Sequence, residues 1–201
     1  AGCKIGLRSF AVVNDRAARG KRRRSATAAS SSSASRLTAA TCSAACDQYA
    51  SIPLLFQPGS EWNYSVSTDV LGRVVEVASG QPLDDFLEQR IFRPLGMTDT
   101  AFWAEPAAQP RLAALYRPSR DGRAVRLDEL GRAALKQPRM LGGGGGLVST
   151  AADYDRFTRM LLATDASPAG ELDGIRLLSP RTVGYMARNH LPGNKDLETF
   201  G

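Results

Sequence analysis

The chain has 201 residues, 43 % of them apolar, and 26 Lys and Arg against 20 Asp and Glu. That composition suits one ordinary packed core, and no apolar run reaches the ~20 residues of a membrane-spanning helix. The net charge of +6 is unevenly spread: residues 1–47 hold nine basic side chains against Asp15 and Asp47, while the rest is close to neutral. The larger part therefore excludes a nucleic-acid binder and reads as a globular sequence.

Residues 1–47 differ in texture from residues 48–201. Lys21-Arg22-Arg23-Arg24 is a tight basic cluster, and Ser30 to Ser33 is a serine run within Ala, Ser and Thr. Between Arg16 and Cys46 only Leu37 is a large aliphatic residue, too little apolar surface to offset the entropy of ordering the chain. Three readings stand side by side. The segment is a disordered basic arm touching nucleic acid or an anionic membrane, a targeting segment, or sequence read out of frame. The abrupt change of character favours the last. Cys3, Cys42 and Cys46 all lie here, with no histidine near them and no zinc or redox spacing, so they read as incidental thiols. No signal peptide is visible around Ala1–Lys4, and a cytoplasmic location is the expectation.

Residues 48–201 form the second unit, a folded domain. Pro58-Gly59-Ser60 is a turn, and Ser67 or Thr68 is placed to cap a helix with Asp69 in its first turn. Leu71, Val74, Val75 and Ala78 recur at helical spacing, and Gly80 stops the helix. A second helix begins at Pro82, buries Leu83, Phe86, Leu87 and Ile91, and ends by Pro94. Thr98 to Trp103 suits a short strand. Short strands or a loop excursion are expected around the turn Asp121-Gly122. The five glycines Gly142–Gly146 lead through Leu147-Val148 to a helix in which Asp153 takes the third position. Tyr154, Phe157, Met160, Leu161 and Leu162 form that helix's apolar face. Gly174 to Leu178 is a turn into a brief extended segment, and Ser179-Pro180 opens a last helix through Met186.

The glycine run is not a phosphate loop, because Leu147-Val148 stands where Lys-Ser/Thr would be needed. It reads as a bend whose backbone approaches another element closely. His190 is the one histidine and reads as a helix-end residue. No metal site or cofactor site is visible. The constellation that carries chemistry is Tyr64-Ser65-Val66-Ser67, a tyrosine on the turn that enters a helix.

In the order of its elements the chain resembles the serine β-lactamases and penicillin-recognising enzymes, above all the class C β-lactamases and the family VIII carboxylesterases. The segments that carry the resemblance are Leu55-Phe56-Gln57-Pro58-Gly59, Tyr64 to Ser67, and Leu71-Gly72 to Gly80. They continue with Ile91 to Thr100, Gly143 to Tyr154, and Leu177 to Pro180. The resemblance implies an α/β (α+β) fold of the β-lactamase/transpeptidase type, an antiparallel sheet flanked by helices beside a helical region. It implies acyl transfer from a small-molecule ester or β-lactam-like substrate through a covalent serine intermediate, with no cofactor and no metal. Tyr64 matches the family's catalytic tyrosine. Val66 stands where class C enzymes carry Asn, which resembles the esterase branch, and Gly144 and Gly145 are the expected lining of the cleft wall.

The departures are equally specific. No serine has Lys three residues later, and no late Lys-Thr-Gly, His-x-Gly or Trp-x-Gly block comes after residue 193. The chain is therefore expected to hold part of a serine hydrolase domain and to be inactive as it stands. The competing reading is a non-catalytic binding scaffold with a basic arm.

Overall fold

The computed structural model describes residues 4–7, 41–60, 62–164 and 167–194. Strand β1 (Lys4–Leu7) lies at the start of the chain, and helix α1 (Cys42–Ala50) is capped by Thr41, whose hydroxyl accepts the Ala44 amide. The boundary expected at residue 47 therefore falls inside α1, while the basic cluster and the serine run lie outside the described residues.

Helix α2 (Ser67–Ser79) ends at Gly80, whose φ of 70° takes the left-handed turn that glycine accepts without a Cβ penalty. Its start corrects the expectation of a Ser67 or Thr68 cap. Val66 is the N-cap and makes no side-chain cap bond. Its carbonyl instead accepts the amides of Asp69 (3.0 Å) and Val70 (3.1 Å), so the backbone satisfies these early donors itself. Helix α3 (Leu83–Leu87) widens into a π-turn over Glu88–Phe92, and the chain leaves it through Pro94 and Gly96.

The stretch Thr98–Trp103 is not a strand. Ala101 alone bridges to Val148, exchanging bonds of 3.1 and 2.7 Å. The ladder stops there because the Asp99 amide and the Thr100 hydroxyl are turned towards the Asp153 carboxylate. After a 3₁₀ turn (Pro106–Arg111), strands β2 (Tyr116–Pro118) and β3 (Ala124–Arg126) pair as a hairpin about Asp121-Gly122, the strand alternative of the two expected there. Helix α4 (Asp128–Ala133) precedes the glycine run.

Strand β4 (Leu147–Thr150) pairs antiparallel with β1, Lys4 opposite Thr150 and Leu7 opposite Leu147. Helix α5 (Ala151–Leu161) starts directly from β4, capped by the Thr150 hydroxyl on the Asp153 amide at 3.1 Å. Strands β5 (Glu171–Leu172) and β6 (Ile175–Arg176) form a tight hairpin through Asp173-Gly174. Helix α6 (Pro180–Met186) takes Ser179 as its cap, as its sequence indicates.

The main core gathers Phe92, Leu95 and Met97 from the end of the α3 region, Met160 from α5 and Leu172 from β5. Leu87, Ile91, Leu147, Phe157 and Leu161 pack around it, so the α3 and α5 stripes meet each other. Tyr154 and Leu162, expected on the apolar face of α5, are instead exposed because the core contacts the helix through Phe157, Met160 and Leu161. Beside this core lies a smaller cluster of Ala104, Ala134 and Val148. Arg156 ties the two ends of the core together, binding the Leu95 carbonyl through Nε and Asp173 through Nη2 at 2.7 Å. No helix among the described residues is long and apolar enough to cross a membrane.

Candidate active site

Tyr64 lies outside regular secondary structure three residues before α2 and is 66 % exposed. Trp62, two residues earlier, is 44 % exposed, so two aromatic rings stand at the surface around this turn. Val66, half-buried, closes the turn onto α2 through the bonds its carbonyl accepts. Helix α2 presents Val70, Leu71, Val74 and Val77 to solvent, an apolar stripe continuing from the tyrosine.

The glycine run reaches the same helix from the far end of the sequence. Gly144 donates its amide to Asp69 Oδ1 at 3.0 Å, bridging 75 residues. The approach is backbone to backbone at Gly143, where a Cβ would lie 2.2 Å from the Thr68 carbonyl oxygen. Gly72, buried in α2, is the counterpart: a Cβ there would meet Gly143 Cα and N at 3.2 Å. A loop with side chains could not lie this close to a helix, and that is what the run of glycines permits. Gly145 turns back within the loop, its amide facing the Gly142 carbonyl at 3.4 Å.

The four residues singled out from sequence are thus divided between two segments: Tyr64 and Val66 precede the first turn of α2, while Gly144 and Gly145 belong to the loop docked on that turn. Sequence reasoning missed the residue that joins them. Its place along the chain marks Asp69 only as a helix-dipole partner, yet its carboxylate takes the Gly144 amide and its own amide goes to the Val66 carbonyl. The signal available was a first-turn acid on a helix containing a mid-helix glycine, Gly72.

Helix α1 also packs against α2. The Cys42 thiol, buried, donates to the Asp69 carbonyl at 3.6 Å. Burial first, and then the nearby Glu76, push that thiol from 9.0 up to about 11, so Cys42 is held as an inert thiol. Burial and the Asp69 charge likewise raise the Tyr49 hydroxyl. His190 lies at the exposed end of α6, its Nε2 2.7 Å from the Tyr185 carbonyl and its ring against Tyr185. Among the described residues no three or more His, Cys, Asp or Glu side chains are grouped to hold a metal ion.

Known proteins resemble this chain in sequence and in fold. The family described as Beta-lactamase matches residues 14–198. Protein Rv1367c of Mycobacterium tuberculosis is 40 % identical over 151 residues, covering 75 % of this chain and 36 % of its own. Esterase EstB of Burkholderia gladioli is 40 % identical over 160 residues, covering 72 % of this chain and 37 % of its own. Among solved structures, that of EstCE1, a hydrolase with promiscuous acyltransferase activity, superposes with a TM-score of 0.59. It is 26 % identical and covers 77 % of this chain and 42 % of that one. The chain spans little more than a third of the length of these curated relatives. Its mixture of helices and small antiparallel sheets is part of the β-lactamase/transpeptidase fold, and the chain belongs to the Beta-lactamase family.

Proposed function

We infer that this chain is the tyrosine-bearing portion of a serine hydrolase that cleaves small carboxylic esters through an acyl-enzyme. The observation that carries the reading is the joint fastening of the Tyr64 turn and the glycine run to one turn of α2, in a chain 40 % identical to an esterase. In this reading Tyr64 passes the proton between the nucleophilic serine and the leaving alcohol. An exposed phenol serves that role only when a nearby positive charge lowers its pKa from the ordinary value of about 10. The lysine of a Ser-x-x-Lys helix supplies such a charge, and neither it nor its serine is among the 201 residues. Val66 offers an apolar side chain where an Asn would grip an amide, which favours esters over β-lactams. Gly144 and Gly145 line the wall beside it. Cys42 and Cys46 are free thiols, which fits the cytoplasm as the compartment.

The test begins with the encoding DNA and its flanks, translated in all three frames. A Ser-x-x-Lys block upstream of Tyr64 is expected. The product containing it should hydrolyse p-nitrophenyl butyrate, and Tyr64→Phe should lower kcat/KM by roughly 10²–10⁴. Unchanged turnover in that variant would remove Tyr64 from the mechanism. A gene with no such block and a product with no turnover would make the chain a non-catalytic scaffold.

A further inference from the structure

We propose that Asp69 is a positioning residue of the site, a side chain that sets the glycine wall against the Tyr64 turn. The proposal rests on the reading of Tyr64 as the site's tyrosine. Three contacts meet at Asp69. Its amide donates to the Val66 carbonyl at 3.0 Å, two residues after Tyr64. Its carboxylate Oδ1 accepts the Gly144 amide at 3.0 Å. Its own carbonyl receives the Cys42 thiol at 3.6 Å, which holds the residue from the α1 side.

The glycines around the carboxylate are shaped to admit it. A Cβ on Gly142 would lie 2.9 Å from Asp69 Oδ1, and a Cβ on Gly144 would lie 3.2 Å from Oδ2. Both positions are bare, so the loop folds round the carboxylate. The Gly144 bond is charge-assisted, with an ionised acceptor, and such bonds are shorter and stronger than neutral ones. A carboxylate at this point also lies in the first turn of α2, where the exposed amides favour negative charge. Without that acceptor the loop would lose a directional bond to α2, while the close approach of Gly143 to the helix excludes a side chain but fixes no direction. Asp69 therefore couples two segments 75 residues apart and acts on the site through them.

The 201-residue chain itself allows the test. Hydrogen exchange of the 141–147 peptide is followed by mass spectrometry, and Tyr64 by ¹⁹F NMR with 3-fluorotyrosine, its signal assigned by Tyr64→Phe. Asp69→Asn keeps an acceptor oxygen at the same reach but loses the charge, so it should fall between the native chain and Asp69→Ala in both readouts. In Asp69→Ala the glycine loop should exchange roughly tenfold faster, the scale of a lost charge-assisted bond, and the Tyr64 signal should move. Equal exchange in the native and Ala chains would overturn the proposal. So would a Tyr64 signal that ignores the loosened loop, or an Asn variant that behaves like Ala. If circular dichroism shows Asp69→Ala unfolded, Asp69→Glu displaces the acceptor by one methylene and carries the same expectations. Neither readout needs an ester, so a failure of turnover would count against the functional reading alone.

Discussion

Thr100 and Asp153, 53 residues apart, share a buried hydrogen bond of 2.8 Å between the threonine hydroxyl and the aspartate carboxylate. The same oxygen accepts the Asp99 amide at 2.7 Å. Because the Thr100 proton is used on the carboxylate, its oxygen is left to accept the Ser149 hydroxyl at 2.8 Å. Asp99 in turn pairs with Arg111 outside this knot. Four segments are thus joined: the end of β4, the start of α5, the turn after Met97, and the 3₁₀ turn.

Asp153→Ala would leave the part-buried Asp99 amide and the buried Thr100 hydroxyl without their acceptor. A loss of about 2–4 kcal/mol in unfolding free energy is expected, and about 1–2 kcal/mol for Thr100→Val. Urea denaturation followed by circular dichroism measures both. A change below about 0.5 kcal/mol for Asp153→Ala would show that the knot contributes no stability.

The contact between Gly143 and α2 gives a second expectation. Gly143→Ala places a Cβ 2.2 Å from a backbone oxygen, which no rotamer change relieves. It should cost about 1–3 kcal/mol and detach the glycine loop, seen as faster exchange at residues 141–147. Gly131→Ala is the control, since a Cβ there meets open space within a helix and should be neutral or stabilising by up to about 1 kcal/mol.

Cys42 should lag well behind Cys46 in alkylation. With its thiol raised to about 11 from 9.0, its thiolate fraction at pH 8 is roughly a hundredfold lower than that of an unperturbed thiol. Iodoacetamide labelling read by peptide mass spectrometry distinguishes the two sites. Parallel labelling would contradict the burial of Cys42. The sign of the pH effect on stability comes from the same shift. The folded state holds this proton more tightly than the unfolded chain, so stability is unaffected below about 9. It falls as pH rises from about 9 towards about 11.

The apolar stripe of α2 should dominate the solution behaviour of the isolated chain. Leu71, Val74 and Val77 are each more than half exposed. Replacing Val74 and Val77 by Lys should change stability by less than about 0.5 kcal/mol each, as for ordinary surface positions, while lowering the binding of a hydrophobic dye. Unaltered dye binding would place the exposed apolar surface elsewhere.

Much of the local structure was legible in the sequence, because it depends on neighbours along the chain. Gly80 closing α2, Asp153 at the third position of α5, the turn at Asp121-Gly122, and Ser179-Pro180 opening α6 each rest on contacts within a few residues. The order of these elements also carried the family and placed Tyr64 at a helix entrance. Tertiary structure decided the rest. Thr98–Trp103 has the residues of a strand, but the distant Asp153 carboxylate captures its polar groups and leaves one bridge. Val66 caps α2 in place of Ser67 or Thr68 because its carbonyl takes two amides at once. The pairing of β1 with β4 and the hold of Asp69 on Gly144 join residues 75 or more positions apart. No periodicity or propensity encodes such contacts, since each depends on which surfaces the packed core brings within hydrogen-bonding reach.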